Sequence, residues 1–294
     1  MEFRQYTEKD YDAVCDFLTA LNEKDGLHIN WNWARFEWMA EHPGFDKSRS
    51  SSIGLWTEDG RIIGAAIYDM YFGEAFCGVL PEYGTLFPAV LDYAWTALKD
   101  ENGLGITIRD GSEGEIEAAE KAGFAPAEQT ETILRIDLGE KLKAALPAGY
   151  RIAEIDPFEE PRAFQWLLWQ GFDHGEDLEE FEQDYQKTMA MDLKPRRHFN
   201  KDLSLTAVGP GGEPAAYCCL WYSDKTDYAY VEPVCTLPSE RGKGLAKALL
   251  YEALNRAAAL GAKQAYVISD QEFYKKLGFR EVSRFTFYWK TGEE

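Results

Sequence analysis

Residues for redox and metal chemistry are scarce in this sequence, which has five cysteines and four histidines in 294 residues. Cys15, Cys77, Cys218, Cys219 and Cys235 are odd in number, show no CxxC spacing and sit among apolar neighbours. This excludes a disulfide framework and reads as small core residues in a reducing compartment. His28, His42, His174 and His198 lie far apart, with no HExxH pair, so no metal site is expected. No apolar run approaches the roughly 20 residues of a membrane-spanning helix. Met1 to Asp10 is polar and carries no signal-peptide core. Positive charge is short as well: 31 Lys and Arg stand against 51 Asp and Glu, a net charge of -20. Such a surface repels phosphate backbones and anionic lipid heads, which excludes nucleic acid and membranes as partners and favours small cations. The expectation is a soluble, cytoplasmic protein.

What is present is ample core-forming material, including nine tryptophans, arranged as a repeat. The first half opens with strand-like Glu2 to Tyr6. A helix capped by Thr7 follows, with Tyr11, Val14, Leu18 and Leu21 at three- and four-residue steps. Ser52 to Thr57 and Arg61 to Tyr68 flank the hairpin turn Glu58-Asp59-Gly60. The order returns in the second half. Tyr150 to Ile152 starts a strand, Phe164, Leu167 and Leu168 mark a helix, and Leu203 to Val208 and Pro214 to Tyr222 flank a glycine-rich turn. Each half then has strand, helix, strand and a short helix ending in Gly-Phe: Gly123-Phe124 and Gly278-Phe279. The period is domain-sized, unlike that of a solenoid. Mixed strand and helix order predicts an α/β fold of two tandem domains, each a mixed, mostly antiparallel sheet flanked by helices. The expected division is 1–138, a Pro- and Gly-containing linker at 139–149, and 150–294.

The segment richest in chemistry is Tyr228 to Gly261. A strand, Tyr228 to Thr236, runs through the turn Leu237-Pro238-Ser239-Glu240 into Arg241-Gly242-Lys243-Gly244-Leu245-Ala246-Lys247 and a helix ended by Gly261. A loop entering a helix N-terminus offers free backbone N–H groups to an anion. Gly242, Gly244 and the small Ala246 allow close approach, and Arg241, Lys243 and Lys247 add positive charge. This is a pyrophosphate cradle without the Gly-Lys-Ser/Thr of an NTP loop. Downstream stand strand-like Tyr266 to Ile268 and then Tyr274-Lys275-Lys276-Leu277-Gly278-Phe279.

With these two motifs the second half resembles the GNAT N-acetyltransferase superfamily. Arg241-x-x-Gly244-x-Ala246 looks like its acyl-CoA pyrophosphate loop, including Gly242, Lys243, Leu245 and Lys247. Val234, Cys235 and Thr236 look like the strand that pairs with the pantetheine arm. Tyr274-x-x-x-Gly278-Phe279 looks like the motif whose tyrosine lies near the CoA sulfur. Before that tyrosine the chain has the shorter Ser269-Asp270-Gln271-Glu272 where the family often places an asparagine and an alanine. The resemblance implies acetyl-CoA, or another short acyl-CoA, as co-substrate, an amine acceptor, and no metal. The first half reads Leu80-Pro81-Glu82-Tyr83-Gly84-Thr85-Leu86-Phe87-Pro88 at the cradle and Ala119 at the tyrosine position. It is therefore expected to be a degenerate copy without an acyl-CoA site.

Glu232 is the candidate base, placed by the period-two rule on one strand face with Val234 and Thr236. Its alternative role is an ion pair at the sheet rim. Tyr274 is the candidate acid or hydrogen-bond donor toward the departing thiolate, and its alternative is packing. Phe172 to Asp184, with seven acids and no Lys or Arg, is either a lure for a cationic acceptor or a solvated helix face. The competing function is a non-catalytic acyl-CoA sensor.

Overall fold

The computed structural model describes residues 1–292 apart from 24–25, 27, 41, 43–44, 155–160 and 191–196. The chain forms two compact units. Unit 1 comprises Met1–Leu134, Ile268–Asp270 and Glu281–Glu294, and unit 2 comprises Arg135–Val267 and Gln271–Arg280.

In chain order the elements up to the end of the first half are β1 (Glu2–Gln5), α1 (Tyr11–Leu21), α2 (Trp33–Ala40), β2 (Gly54–Glu58), β3 (Arg61–Tyr68), β4 (Glu74–Val79), α3 (Phe87–Ala97), β5 (Gly103–Arg109), α4 (Glu113–Lys121) and β6 (Ala125–Asp137). The periodic residues Tyr11, Val14, Leu18 and Leu21 are all buried on α1. Thr7 does not cap α1 directly. It heads a preceding 3-10 turn, Glu8–Asp10, where its N–H donates to the Asp10 carboxylate at 2.8 Å. The β2–β3 hairpin turns through Asp59 and Gly60, both at positive φ, as an Asp-Gly turn demands. Strands β1 to β4 pair antiparallel in sequence order, and β4 joins β5 in parallel at Glu74↔Gly105 and Ala75↔Ile106.

The second half contains β7 (Arg151–Glu154), α5 (Pro161–Gly171), α6 (Leu178–Ala190), β8 (Ser204–Val208), β9 (Pro214–Tyr222), β10 (Tyr228–Thr236), α7 (Leu245–Leu260), β11 (Gln264–Ile268), α8 (Glu272–Lys276) and β12 (Arg280–Thr291). In unit 2, β7, β8, β9 and β10 pair antiparallel in order, and β11 pairs parallel to β10. Phe164 and Leu167 of α5 pack on Tyr217, Cys219 and Cys235. Cys218 alternates with Tyr217 and Cys219 along β9 and so points to the opposite face. All five cysteines are buried thiols outside any disulfide. No helix among the described residues is long and apolar enough to cross a membrane.

The compact units divide the chain differently from the sequence halves. Residues 150–294 read as one domain in sequence, yet Glu281–Glu294 belongs by contact to unit 1. The reason is pairing: Phe285 to Thr291 of β12 run antiparallel to Arg109 through Gly103 of β5. A strand joins whichever open edge matches it, and chain order alone does not name that edge. Part of the expected linker is tied down within unit 2. Leu142 donates its N–H to Asn255 Oδ1 and accepts from Asn255 Nδ2, both at 2.9 Å, which docks it on α7.

Gly105 stands directly opposite Trp289 in the β5–β12 ladder, and a Cβ there meets the indole ring at 2.8 Å. Gly105→Ala should destabilise the protein by about 1–3 kcal/mol in urea unfolding, the usual cost of overpacking. In a Trp289→Ala background that penalty should largely vanish, and strict additivity of the two changes would show that the contact is not the cause.

Candidate active site

The β10–β11 ladder covers Tyr228–Tyr230 against Gln264–Tyr266, after which β10 continues to Thr236 on β9 alone. A β-bulge lies between Val231 and Val234, where Glu232 and Pro233 both stand across from the single residue between Leu220 and Cys218. Pro233 has no N–H to give a ladder. The Glu232 carbonyl instead accepts from the Trp221 indole at 2.8 Å. Beyond the bulge, Leu237 N–H donates to Ala215 O at 3.0 Å. Antiparallel strands alternate hydrogen-bonded and non-bonded pairs. Cys235↔Tyr217 is then a bonded pair, while Val234 and Thr236 turn their N–H and C=O groups away from β9, toward the edge that β11 has left. An extended amide-bearing chain laid there finds a row of strand-like partners.

The bulge also corrects the face argument for Glu232. Period-two counting holds only along an unbroken strand, so it does not carry from Val234 back to Glu232. Cys235 presents no backbone polar group to this edge, since its N–H and C=O face Tyr217 on β9. Its thiol packs into the α5 core, and burial pushes its pKa up to about 12.

After Thr236 a 3-10 turn, Pro238–Glu240, leads to the loop. Gly242 has φ 78° and Gly244 φ 82°, and a Cβ at either would point into open space. The glycines are therefore required by backbone conformation, and the volume over the loop is open to an incoming group. Gly244 is the N-cap of α7 in the left-handed region. Most helices cap with Ser, Thr, Asp or Asn, whose oxygen takes one of the orphan N–H donors. Glycine has no such oxygen, and the first turn of α7 has no acidic residue. Leu245 is buried, Ala246 half-buried and Lys247 exposed, so the donor end of the helix is left to an external anion.

The basic side chains are less free than their number suggests. Arg241 reaches both oxygens of Asp173 at 2.9 Å, Gly171 O at 3.0 Å and Thr236 O at 3.3 Å. Lys243 bonds Glu240 at 2.9 Å and the Tyr150 hydroxyl at 3.2 Å, and Tyr150 also donates to Glu240. These contacts raise the Lys243 pKa and lower that of Glu240. Exposed pairs of this kind contribute little and exchange readily for a polyanion. Asp173, at φ 59° in the α5–α6 connection, was not singled out in sequence, because nothing local marks a partner so distant in the chain.

Tyr274 sits in α8, buried, edge-on to Phe273 and Phe279. A Schellman cap fixes it. Phe279 N–H bonds Tyr274 O at 3.1 Å, Gly278 N–H bonds Lys275 O at 3.1 Å, and Gly278 has φ 97°. Burial raises the Tyr274 pKa, and the neighbouring Cys218 and Glu232 raise it further. Cys218 is the ladder partner of Val234. Tyr274 is thus within electrostatic reach of Glu232 and of the strand pair β9–β10 at Val234.

In unit 1 the same Schellman geometry recurs: Phe124 N–H to Ala119 O and Gly123 N–H to Glu120 O, both at 3.0 Å, with Gly123 at φ 88°. Ala119 there occupies the place of Tyr274. The cradle differs in backbone as well. Pro81–Leu86 is a 3-10 turn running straight into α3, Gly84 is not left-handed, and Leu86 is already helical. In unit 2, the acidic stretch Phe172 to Asp184 is largely helix α6, and several of its acids have partners. Asp173 holds Arg241, Asp177 caps the N–H groups of Glu179 and Glu180, and Glu182 binds Arg162.

This geometry, a splayed strand pair followed by an uncapped glycine entry to a helix, agrees with the comparisons. The acetyltransferase (GNAT) family matches over residues 162–279. Residues 162–279 therefore match a GNAT domain. No curated protein sequence matches the chain. A tandem GNAT protein from the clavulanic acid biosynthesis pathway superposes with a TM-score of 0.64 at 17% identity, covering 100% of this chain and 99% of that one. A GCN5-related N-acetyltransferase from Sphaerobacter thermophilus gives 0.57 at 18% identity, covering 99% and 95%. An acetyltransferase of the GNAT family from Colwellia psychrerythraea gives 0.56 at 14% identity, covering 98% and 99%. The chain therefore has the tandem GNAT fold, an α/β fold that generally serves acyl transfer from acyl-CoA.

The backbone contrast between the two loops is directly testable. Gly244→Ala forces a side chain into the left-handed region and should cost about 1–2 kcal/mol in thermal or urea unfolding. Gly84→Ala, at an ordinary helical conformation, should be neutral or stabilising by up to about 1 kcal/mol. Equal effects at the two positions would refute the assigned conformations.

Proposed function

We propose that this protein is an N-acyltransferase whose unit 2 moves an acetyl or other short acyl group from acyl-CoA to the amine of a small molecule or peptide. The observation that carries the proposal is the open β10 edge leading to an uncapped glycine entry of α7, with Glu232 within electrostatic reach of Tyr274. The N–H groups at 244–247 and Lys247 suit the pyrophosphate, with Arg241 and Lys243 able to change partners toward it. The outward amides of Val234 and Thr236 suit the pantetheine arm. Unit 1, without a left-handed glycine entry, takes no acyl-CoA.

A lysine-like amine is neutral only about once in 2,500 at pH 7. Glu232, directly or through water, takes its proton as the nitrogen attacks the thioester carbon and the C–S bond breaks. The raised Tyr274 pKa keeps the phenol protonated throughout the neutral range. It also makes full proton transfer to a thiolate, with a reference pKa of about 8.5, more uphill. Tyr274 then acts by donating a hydrogen bond to the developing negative charge on sulfur, strengthened by its buried setting. The acceptor falls on the side of the Phe172 to Asp184 stretch, where the acidic face of α6 favours a cation.

Incubation with acetyl-CoA and a panel of amines, read by thiol release and product mass, tests the activity. Failure of every amine alongside tight acyl-CoA binding would leave the sensor reading. Calorimetry should give one acyl-CoA per chain, and Gly244→Glu should abolish it. Two equivalent sites would refute the assignment to unit 2 alone.

Tyr274→Phe should lower turnover about a hundredfold or more while acyl-CoA affinity stays nearly constant. Unchanged turnover would return Tyr274 to packing. Glu232→Gln should slow single-turnover transfer most at neutral pH, with the defect shrinking as pH approaches the acceptor's own pKa. A profile parallel to that of the unmodified protein, together with a lowered melting temperature, would make Glu232 an ion-pair partner instead.

A further inference from the structure

Unit 1 has lost the cradle motif but carries a charged cluster of its own, on the α2 side of its sheet. Asn32 caps α2, accepting from the N–H groups of Ala34 at 2.9 Å and Arg35 at 3.1 Å, and so sets the first turn of that helix. Arg35 Nη1 donates to Glu131 Oε1 and to the Asn30 carbonyl, both at 2.9 Å, and Nη2 donates to Asp69 Oδ2 at 3.0 Å. Asn30 Nδ2 donates to Glu131 Oε2 at 3.0 Å and to Thr107 Oγ1 at 2.9 Å. Glu74, at the start of β4, has its carboxyl pKa raised by burial and then by Asp69, with Arg35 acting against the rise.

Two features of this cluster are unbalanced. Two carboxylates, those of Asp69 and Glu131, bond the guanidinium of Arg35, and a third, Glu74, lies within their electrostatic reach. Asn30 is 1% exposed, and its Oδ1 is buried without a hydrogen-bond partner. An orphaned acceptor in such surroundings carries its full desolvation penalty. Swapping the amide ends does not cure it, since the amide nitrogen is what satisfies Glu131. The cluster is not sealed: the side chains of Arg35, Asp69 and Glu131 are 18%, 23% and 14% exposed. Everything unsatisfied here is an acceptor or a negative charge. The matching chemistry is a compact cation rich in N–H donors.

We propose that unit 1 binds a small primary ammonium compound at Asn30, Asp69, Glu74 and Glu131, a site separate from the transferase site of unit 2 and without chemistry of its own. The ammonium donates to Asn30 Oδ1 and to the carboxylates, and Arg35 holds Glu131 and Asp69 in place to receive it. The proposal is independent of acyl transfer, because none of these residues belongs to unit 2.

Calorimetric titration of the full-length protein with 1,4-diaminobutane, at constant ionic strength, tests it. Tetramethylammonium, a cation without N–H donors, is the control. The expected result is saturable binding of the diamine, weakened about tenfold or more in the near-isosteric variants Asp69→Asn and Glu74→Gln, and unchanged in Glu101→Gln, an exposed carboxylate in the α3–β5 connection. Circular dichroism melts establish that each variant is folded; Glu74→Gln relieves like-charge repulsion and should not lower the melting temperature, whereas Asp69→Asn also weakens its pair with Arg35. Absence of saturable binding up to about 10 mM would overturn the proposal, since several charge-assisted hydrogen bonds to one ammonium should bind more tightly than that. So would equal binding of tetramethylammonium, retention of affinity in both Asp69→Asn and Glu74→Gln, or an equal loss in Glu101→Gln, which would mark a diffuse surface attraction.

Discussion

The parting of β10 from β11 is the constraint on which the rest of unit 2 depends. The two strands are laddered only at Tyr228–Tyr230, and the bulge at Glu232–Pro233 then changes the course of β10. A buried sheet edge with unpaired amides is ordinarily a liability. Here Val234 and Thr236 present that edge, and Arg241 already takes the Thr236 carbonyl. The same departure brings Glu232 within electrostatic reach of Tyr274. Strand, loop and α8 are thus consequences of one geometric event, and it is an event suited to admitting a third extended chain.

The loop that follows is built by omission. A serine or aspartate at position 244 would satisfy α7 internally and close the anion site, and any side chain there would meet the left-handed conformation. Gly244 avoids both, at the cost of backbone freedom in the unfolded chain. Asp173 and Glu240 then hold Arg241 and Lys243 in the absence of an anion, so the loop is ordered by pairs that a stronger anion can replace.

Legibility in the sequence followed the range of the interaction. Gly242, Gly244 and the Gly278-Phe279 cap were readable because each expresses a local backbone requirement. So were the hairpin at Asp59-Gly60 and the buried face of α1. The destination of β12 was not, because pairing Phe285 with Arg109 is a choice among sheet edges far apart in the chain. The face of Glu232 was not legible for a different reason: period-two counting assumes a regular strand, and the bulge at Glu232–Pro233 interrupts it. The Arg241–Asp173 pair and the Asn30–Arg35–Glu131 cluster join residues on separate elements, and no local pattern announces them.

The two Gly-Phe motifs sharpen what such a pattern means. Both end a short helix with the same pair of backbone bonds and a left-handed glycine, so the motif itself is a helix stop and says nothing of catalysis. What differs is the residue whose carbonyl receives the cap: Ala119 in unit 1 and Tyr274 in unit 2. The loops differ in the same sense, one a 3-10 entry kinked at Tyr83 and the other a left-handed glycine entry. Backbone scaffolding is thus present in both copies, while the phenol and the open helix end occur together in one. Because cap and loop are separate structural requirements, folding alone does not call for both in unit 2, and the proposed site for a thioester and its diphosphate is an arrangement that uses both.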